Sequence, residues 1–349
     1  MNNQKDILWI SYVKAISIIG VFFVHTTSYY GYEISNINTF IHPFYVNAFF
    51  FISGYLLFRK QLSDNLMEED IRKYLYGGGK KLMFSILWRV AVPTILFSLI
   101  EFFPSHIIRG HFFDWGTFMY KTIGGGTYWF TAALVVAEVI LLLLLFSRVR
   151  NIWFYFFCCC SIFAIGEWLV LKDFNIMSSY PSFPWSYKNG MFAILFLAFG
   201  GLYWTYETPI NKLMNKTLLL FMIGLYVTLL SIWPNEFHVL VSMLDVNILG
   251  IVLSLLSTII LIEICKLIPT FRLLNYIGMN TIGFYFMSGA LPIVLSLIVE
   301  SILPTNVIGL CIVFIASLLI ALIAVNLMNR LTPWLFDLRL IWKKKSNEI

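Results

Sequence analysis

Charge is what this chain has least of. Asp, Glu, Lys and Arg make up 12% of its 349 residues, while 60% are hydrophobic and 18% aromatic; soluble domains carry about 25% charged residues. That scarcity excludes an ordinary soluble fold. A cysteine framework is missing too, because Cys158, Cys159 and Cys160 are consecutive and Cys265 and Cys311 stand alone, a spacing that fits neither a disulfide scaffold nor a metal site. They read as small, reduced apolar residues. Internal repeats, low-complexity tracts and long polar stretches are lacking as well, which argues against an extramembrane domain. The opening MNNQKD has no basic leader, and no small-residue cleavage site follows it. The first apolar stretch is therefore expected to be a retained anchor rather than a signal peptide.

What the chain has is long apolar runs. Segments of about 18 to 22 residues, each enough to cross a hydrocarbon core about 30 Å thick, recur about ten times, near 8–29, 40–58, 82–103, 127–147, 152–171, 190–207, 217–234, 246–265, 280–300 and 304–329. Helices are the expected form, since a helix satisfies its own backbone in lipid. Basic residues collect in alternate connections: Arg59, Lys60, Arg72, Lys73, Lys80 and Lys81, then Arg148 and Arg150, Lys212 and Lys216, Lys266 and Arg272, and a tail with Arg330, Arg339 and Lys343 to Lys345. The opposite loops hold only Arg109, Lys121, Lys172 and Lys188. Because Lys and Arg favour cytoplasmic loops, both termini are expected in the cytoplasm. The net charge of +6 then reports topology, and nucleic acid is not an expected partner. The expected fold is an all-α integral membrane protein, about ten transmembrane helices in one bundle. It is read as a single domain over 1–349, with a cytoplasmic basic loop at 59–81, an outer loop at 104–126 and a cytoplasmic basic tail at 330–349.

Into the first of these runs the sequence places Lys14 and His25. Eleven residues at about 100° each make three turns plus about 20°, so the two share one helix face about 16 Å apart along the axis. Ser17 and Ser28 lie on or near the same stripe. An ionisable residue within a span costs at least about 2.5 kcal/mol on insertion scales, and so points to function. A snorkelling lysine with a hydrogen-bonded core histidine fits the spacing equally well.

Other polar residues interrupt later runs. In FFFISGYLLF, 49–58, Ser53 and Gly54 break an aromatic stretch; such a pair either lets helices approach closely or presents donors beside a buried site. Arg89 enters the third run four residues before Pro93. Proline frees a carbonyl, and a guanidinium near the bend can bind a phosphate or carboxylate or can simply snorkel. TYWF, 127–130, puts Trp129 at an outer boundary, the usual place of a belt aromatic. Glu138 lies deeper and must be neutral, paired or cavity-facing. IGMNTIGFYFMS, 277–288, brings Asn280, Thr281, Tyr285 and Ser288 into the ninth run, where polar contacts between helices account for them. The triple glycine of YGGGKKL, 76–82, matches neither a Walker pattern nor a dinucleotide fingerprint and reads as a hinge with basic neighbours.

Taken together, these pieces resemble the acyltransferase 3 family of multipass membrane acyltransferases, especially its shorter members similar to bacterial surface-polysaccharide O-acetyltransferases. The resemblance spans most of the chain. Lys14 and His25 match a basic residue, ten intervening residues and a histidine, with Lys for the commoner Arg. The Ser53–Gly54 run, Arg89 with Pro93, the Trp129–Phe130 pair and IGMNTIGFY, 277–285, resemble further motifs in the same order. Two positions depart from the pattern. Ile86 replaces the first of two arginines three apart, and Ser288 stands where a histidine often follows the late tyrosine. Both bear on donor binding or acceptor preference more than on the type of reaction.

The resemblance implies an acyl donor, typically acetyl-CoA, used as a substrate in place of any permanently bound cofactor. It also implies a hydroxyl acceptor on a cell-surface or lipid-linked carbohydrate, and a location in a bacterial cytoplasmic (inner) membrane among its lipids. No metal is expected. In that reading a neutral His25 is the general base and Lys14 an electrostatic partner. Arg89, Ser53, Trp129, Asn280 and Tyr285 bind substrate, and Lys80 and Lys81 are candidates for the donor phosphates. An acyl-histidine relay stays open beside direct attack, and the oligomeric state is open. A transporter or flippase for a glycan intermediate is the rival class, though the chain lacks the inverted repeat or matched interrupted helices such proteins carry.

Overall fold

The computed structural model describes residues 5–63, 75–108, 112–176, 183–233 and 248–340. Arg72, Lys73, Arg109 and Lys343 to Lys345, used above for orientation, lie outside the described residues. In chain order the helices are α1 (Lys5–Tyr30), α2 (Ser35–Ile41), α3 (Asn47–Ser63), α4 (Lys80–Ile86), α5 (Val92–Ile108), α6 (Trp115–Lys121), α7 (Trp129–Leu145), α8 (Ile152–Leu171), α9 (Tyr187–Thr205), α10 (Glu207–Leu213), α11 (Lys216–Ile232), α12 (Ile248–Leu267), α13 (Arg272–Met279), α14 (Thr281–Met287), α15 (Ala290–Glu300) and α16 (Val307–Leu331). No strand occurs among the described residues.

Helix covers most of each apolar run, yet the runs are not equivalent. Among the described residues, five helices are long and apolar enough to cross a membrane, at Leu8–Tyr30, Gly77–Pro104, Ile152–Leu171, Ile248–Leu267 and Val307–Leu331. Two bent pairs raise the count to seven if each is one span: α10 with α11, bent by 94°, and α14 with α15, bent by 41°. α3 and α7, of 17 residues each, are shorter than the roughly 20 residues a perpendicular span needs.

The chain separates into two compact units. The first contains, among described residues, 5–49, 214–233 and 248–333. α1 is its hub, packing against α12, α13, α14, α15 and α16. Its contact with α13 is backbone to backbone, because a Cβ on Gly278 would stand 1.8 Å from the Ser11 carbonyl oxygen. The Tyr12 hydroxyl ties this contact to the loop before α13, donating to Pro269 O at 3.3 Å and accepting from Phe271 N–H at 2.8 Å. Gly31, at φ +67°, stops α1 in the left-handed conformation that glycine adopts without a Cβ clash. Leu219, Tyr226, Leu230, Leu253 and Ile260 form the α11–α12 core.

The second unit contains 50–63, 75–108, 112–176, 183–213 and 334–340. α9 packs along both α7 and α8. Against α3 it approaches at reciprocal glycines: a Cβ on Gly54 would lie 2.0 Å from Leu197 O, and one on Gly200 2.0 Å from Phe51 O. The third run is one long helical stretch in which π turns at Leu75–Gly79 and Leu87–Ala91 flank α4. The triple glycine, expected to be a hinge, is thus wound into the turn that opens this stretch. Each π turn admits one extra residue, and such turns are frequent at functional sites.

Candidate functional site

In the first unit, His25 Nδ1 lies 2.8 Å from the backbone oxygen of Ser288. A carbonyl only accepts, so Nδ1 carries the proton, and in the neutral ring Nε2 is left with its lone pair. The acceptor is available for a local reason. In an unbroken helix Ser288 O would bond the N–H of residue 292, which is Pro292, and proline has no N–H. The helix instead breaks at Ser288–Gly289 between α14 and α15, and His25 takes the freed oxygen. The Ser288 hydroxyl turns back to Tyr285 O at 2.7 Å, so the residue serves through its backbone. A departure from the family pattern at this side chain leaves the histidine's hydrogen bond untouched.

Lys14 lies on the same unbroken helix as His25 and is half-buried. The helix carries the expected separation of about 16 Å along its axis. Asn280, between α13 and α14, is committed to structure: its amide nitrogen donates to Tyr276 O at 2.8 Å, and its oxygen accepts from Asn329 Nδ2 of α16 at 2.8 Å. Those bonds close the α13–α14 joint onto α16. Tyr285 is half-buried on α14, one turn before the broken segment.

The second unit gathers a different set. The Ser53 hydroxyl hydrogen-bonds the Glu138 carboxyl group, and the charge of Arg89 acts on the same group. The two readings of the Ser-Gly pair therefore divide between its members: Gly54 permits the close helix contact, and Ser53 meets a polar partner. Between α5 and α7 the polar seam continues. Thr94 donates to Thr131 at 2.9 Å, and the Tyr128 hydroxyl bonds Glu101 beside Trp129, which opens α7. Glu101 went unnoticed in the sequence because a carboxylate near the end of an apolar run looks like interfacial solvation.

Arg89 sits in the π turn Leu87–Ala91, with its Nε 4.0 Å from Asp337 of the C-terminal segment. Asp337 is held bidentately by Arg339, from Nε at 2.8 Å and Nη2 at 2.6 Å. Burial works to raise the Asp337 carboxyl, but the bonds from Arg339 and the charges of Arg339 and Arg89 outweigh it and hold the group below the usual carboxylate range. Lys80 and Lys81 are exposed on α4, with Lys80 Nζ 5.8 Å from the Phe84 ring centre.

The expected site residues thus fall into two sets. Lys14, His25, Asn280 and Tyr285 belong to the first unit, and Ser53, Lys80, Lys81, Arg89 and Trp129 to the second. Sequence reasoning missed Pro292 and Asp337 and read Arg339 only as part of the basic tail, although the SGALP stretch at 288–292 carries a legible signal for the first.

No curated protein and no solved structure matches the chain. The family model for the acyltransferase domain of the acyltransferase 3 family matches residues 7–326, nearly the whole chain and every motif named above. The chain belongs to the acyltransferase 3 family.

Proposed function

We propose that this membrane acyltransferase moves an acetyl group from acetyl-CoA to a hydroxyl of a cell-surface or lipid-linked carbohydrate. The observation that carries the catalytic assignment is the His25 Nδ1 to Ser288 O hydrogen bond of 2.8 Å. It orients the ring and leaves Nε2 as the proton acceptor. In the reaction, Nε2 takes the proton of the acceptor hydroxyl as its oxygen attacks the thioester carbonyl. The C–S bond then breaks, and the thiolate leaving group takes the proton back from the imidazolium, so the products are ester and free thiol. Ser288 O, accepting from Nδ1–H, stabilises the imidazolium in between. Lys14 supplies a cationic group on the same helix, and Arg89, with Lys80 and Lys81, meets the donor phosphates. In this reading the chain forms about ten spans, with both termini and the 59–81 connection cytoplasmic, in a bacterial inner membrane.

Purified protein in detergent, incubated with labelled acetyl-CoA and a cell-envelope extract, tests the proposal. Label transferred to a carbohydrate fraction supports it. Movement of a glycan intermediate across a vesicle membrane, with no acyl exchange, would favour a transporter or flippase instead.

A further inference from the structure

The C-terminal segment from Trp334 to Leu340 is seated on the third helical stretch by three kinds of contact. The π register at Leu87–Ala91 links Val92 N–H to Leu87 O, so the next residue in that register, Pro93, should donate to Trp88 O and has no N–H with which to do so. Leu338 N–H reaches that carbonyl at 3.3 Å. Phe336 stacks on Phe97, with ring centres 5.6 Å apart and planes 6° from parallel. Arg339 Nη1 donates to Ser85 Oγ at 3.1 Å.

This seating brings two guanidinium groups to one carboxylate. Arg339 grips Asp337 bidentately while Arg89 lies 4.0 Å from it, and the side chains remain 40% and 53% exposed. Asp337 is thus shared by two guanidinium groups, and although Arg89 also acts on Glu138, both guanidinium groups stay in reach of solvent. Ile86, three residues before Arg89 on the same stretch, is buried, so this helix offers no second arginine there and the tail supplies one at the neighbouring Ser85.

We propose that Arg339 completes an anion site with Arg89 whose ligand is the diphosphate of the acyl donor, Asp337 serving as the counterion that holds the two guanidinium groups together while the site is empty. The inference rests on the reading of Arg89 as a donor-phosphate residue. A diphosphate offers more charge and more acceptor oxygens than a single carboxylate, and guanidinium forks bind such oxygens in pairs. Arg339 is on this account a binding residue, in addition to a fastener of the tail.

The test compares wild type with Arg339→Ala and Arg339→Lys in two measurements: affinity for inorganic diphosphate by calorimetry, and KM for acetyl-CoA against KM for acetyl-pantetheine, which lacks the diphosphate. Loss of one charge-assisted fork should weaken diphosphate binding and raise the acetyl-CoA KM by about tenfold each, while the acetyl-pantetheine KM stays unchanged and Arg339→Lys recovers part of the loss. If the tail is only a fastener, Arg339→Ala will bind diphosphate like wild type or will lose both donors alike, and either result overturns the site. Should wild type bind diphosphate through Arg339 yet never use acetyl-CoA, the site stands and the donor assignment falls. If Arg339→Ala does not fold, the lysine variant decides, since a single-point ammonium must bind diphosphate more weakly than the fork.

Discussion

At the residue scale the proposed chemistry rests on one imidazole. Either a catalytic or a packing histidine fits a lone His in an apolar helix, and the bond to Ser288 O suits both. What differs is Nε2. His25→Ala should keep expression, membrane insertion and donor binding while transfer falls by about a hundredfold or more, the usual scale of general-base catalysis. His25→Gln keeps a side-chain N–H donor for Ser288 O but has no proton-accepting ring nitrogen, so its turnover should fall as far. Near-normal turnover in the glutamine variant, with thermal stability and donor binding measured alongside, would leave a packing histidine as the account. Lys14 and Arg89 were equally visible as costly residues in lipid; their partners were not, because Asp337 is 248 positions from Arg89, by subtraction of their residue numbers, and becomes a neighbour only on folding.

At the element scale, two prolines do similar work. Pro93 and Pro292 each remove an N–H from a helical ladder, and the carbonyls left over, Trp88 O and Ser288 O, accept from Leu338 N–H and from His25 respectively. Helix breaks of this kind are tolerated at membrane depth where neighbouring groups satisfy the freed backbone. Pro292→Ala restores a donor that competes with His25 for Ser288 O. The expected outcome is a folded protein whose turnover falls by about tenfold through loss of ring alignment, with the KM for the donor nearly unchanged; wild-type turnover in that variant would show that the break does not serve the histidine. The glycines act differently. Gly54, Gly200 and Gly278 each face a neighbouring backbone within 2.0 Å of where a Cβ would stand, and so set how closely helices approach.

At the scale of the whole molecule, the proposed orientation rests on charge. The excess of Lys and Arg in alternate connections predicts that a single cysteine introduced at position 112, in a cysteine-free background, is labelled in intact cells by a membrane-impermeant thiol reagent, whereas one at position 212 is labelled only after permeabilisation. Both positions are exposed. Labelling of 212 in intact cells would reverse the assignment. The residues proposed for function fall in both compact units, with the histidine in one and the arginine pair in the other. The units also cut across the chain order, since 5–49 join 248–333 and the tail from Trp334 joins 50–213.

The sequence by itself determined that the protein is helical and lives in a membrane, because apolar runs of spanning length admit no other backbone arrangement short of a barrel. It also determined which residues are costly enough there to need a reason: Lys14, His25, Arg89 and Glu138. Helical periodicity put Lys14 and His25 on one face without any tertiary information. Only the tertiary structure decided what those residues meet. Hydrogen-bond partners 263 positions apart, as for His25 and Ser288, leave no periodic trace, and a carbonyl acceptor belongs to the backbone, which every residue shares. The bends were hidden for a related reason. Hydropathy records how apolar a run is, whereas the angle between α14 and α15 depends on which neighbour takes the carbonyl that Pro292 sets free.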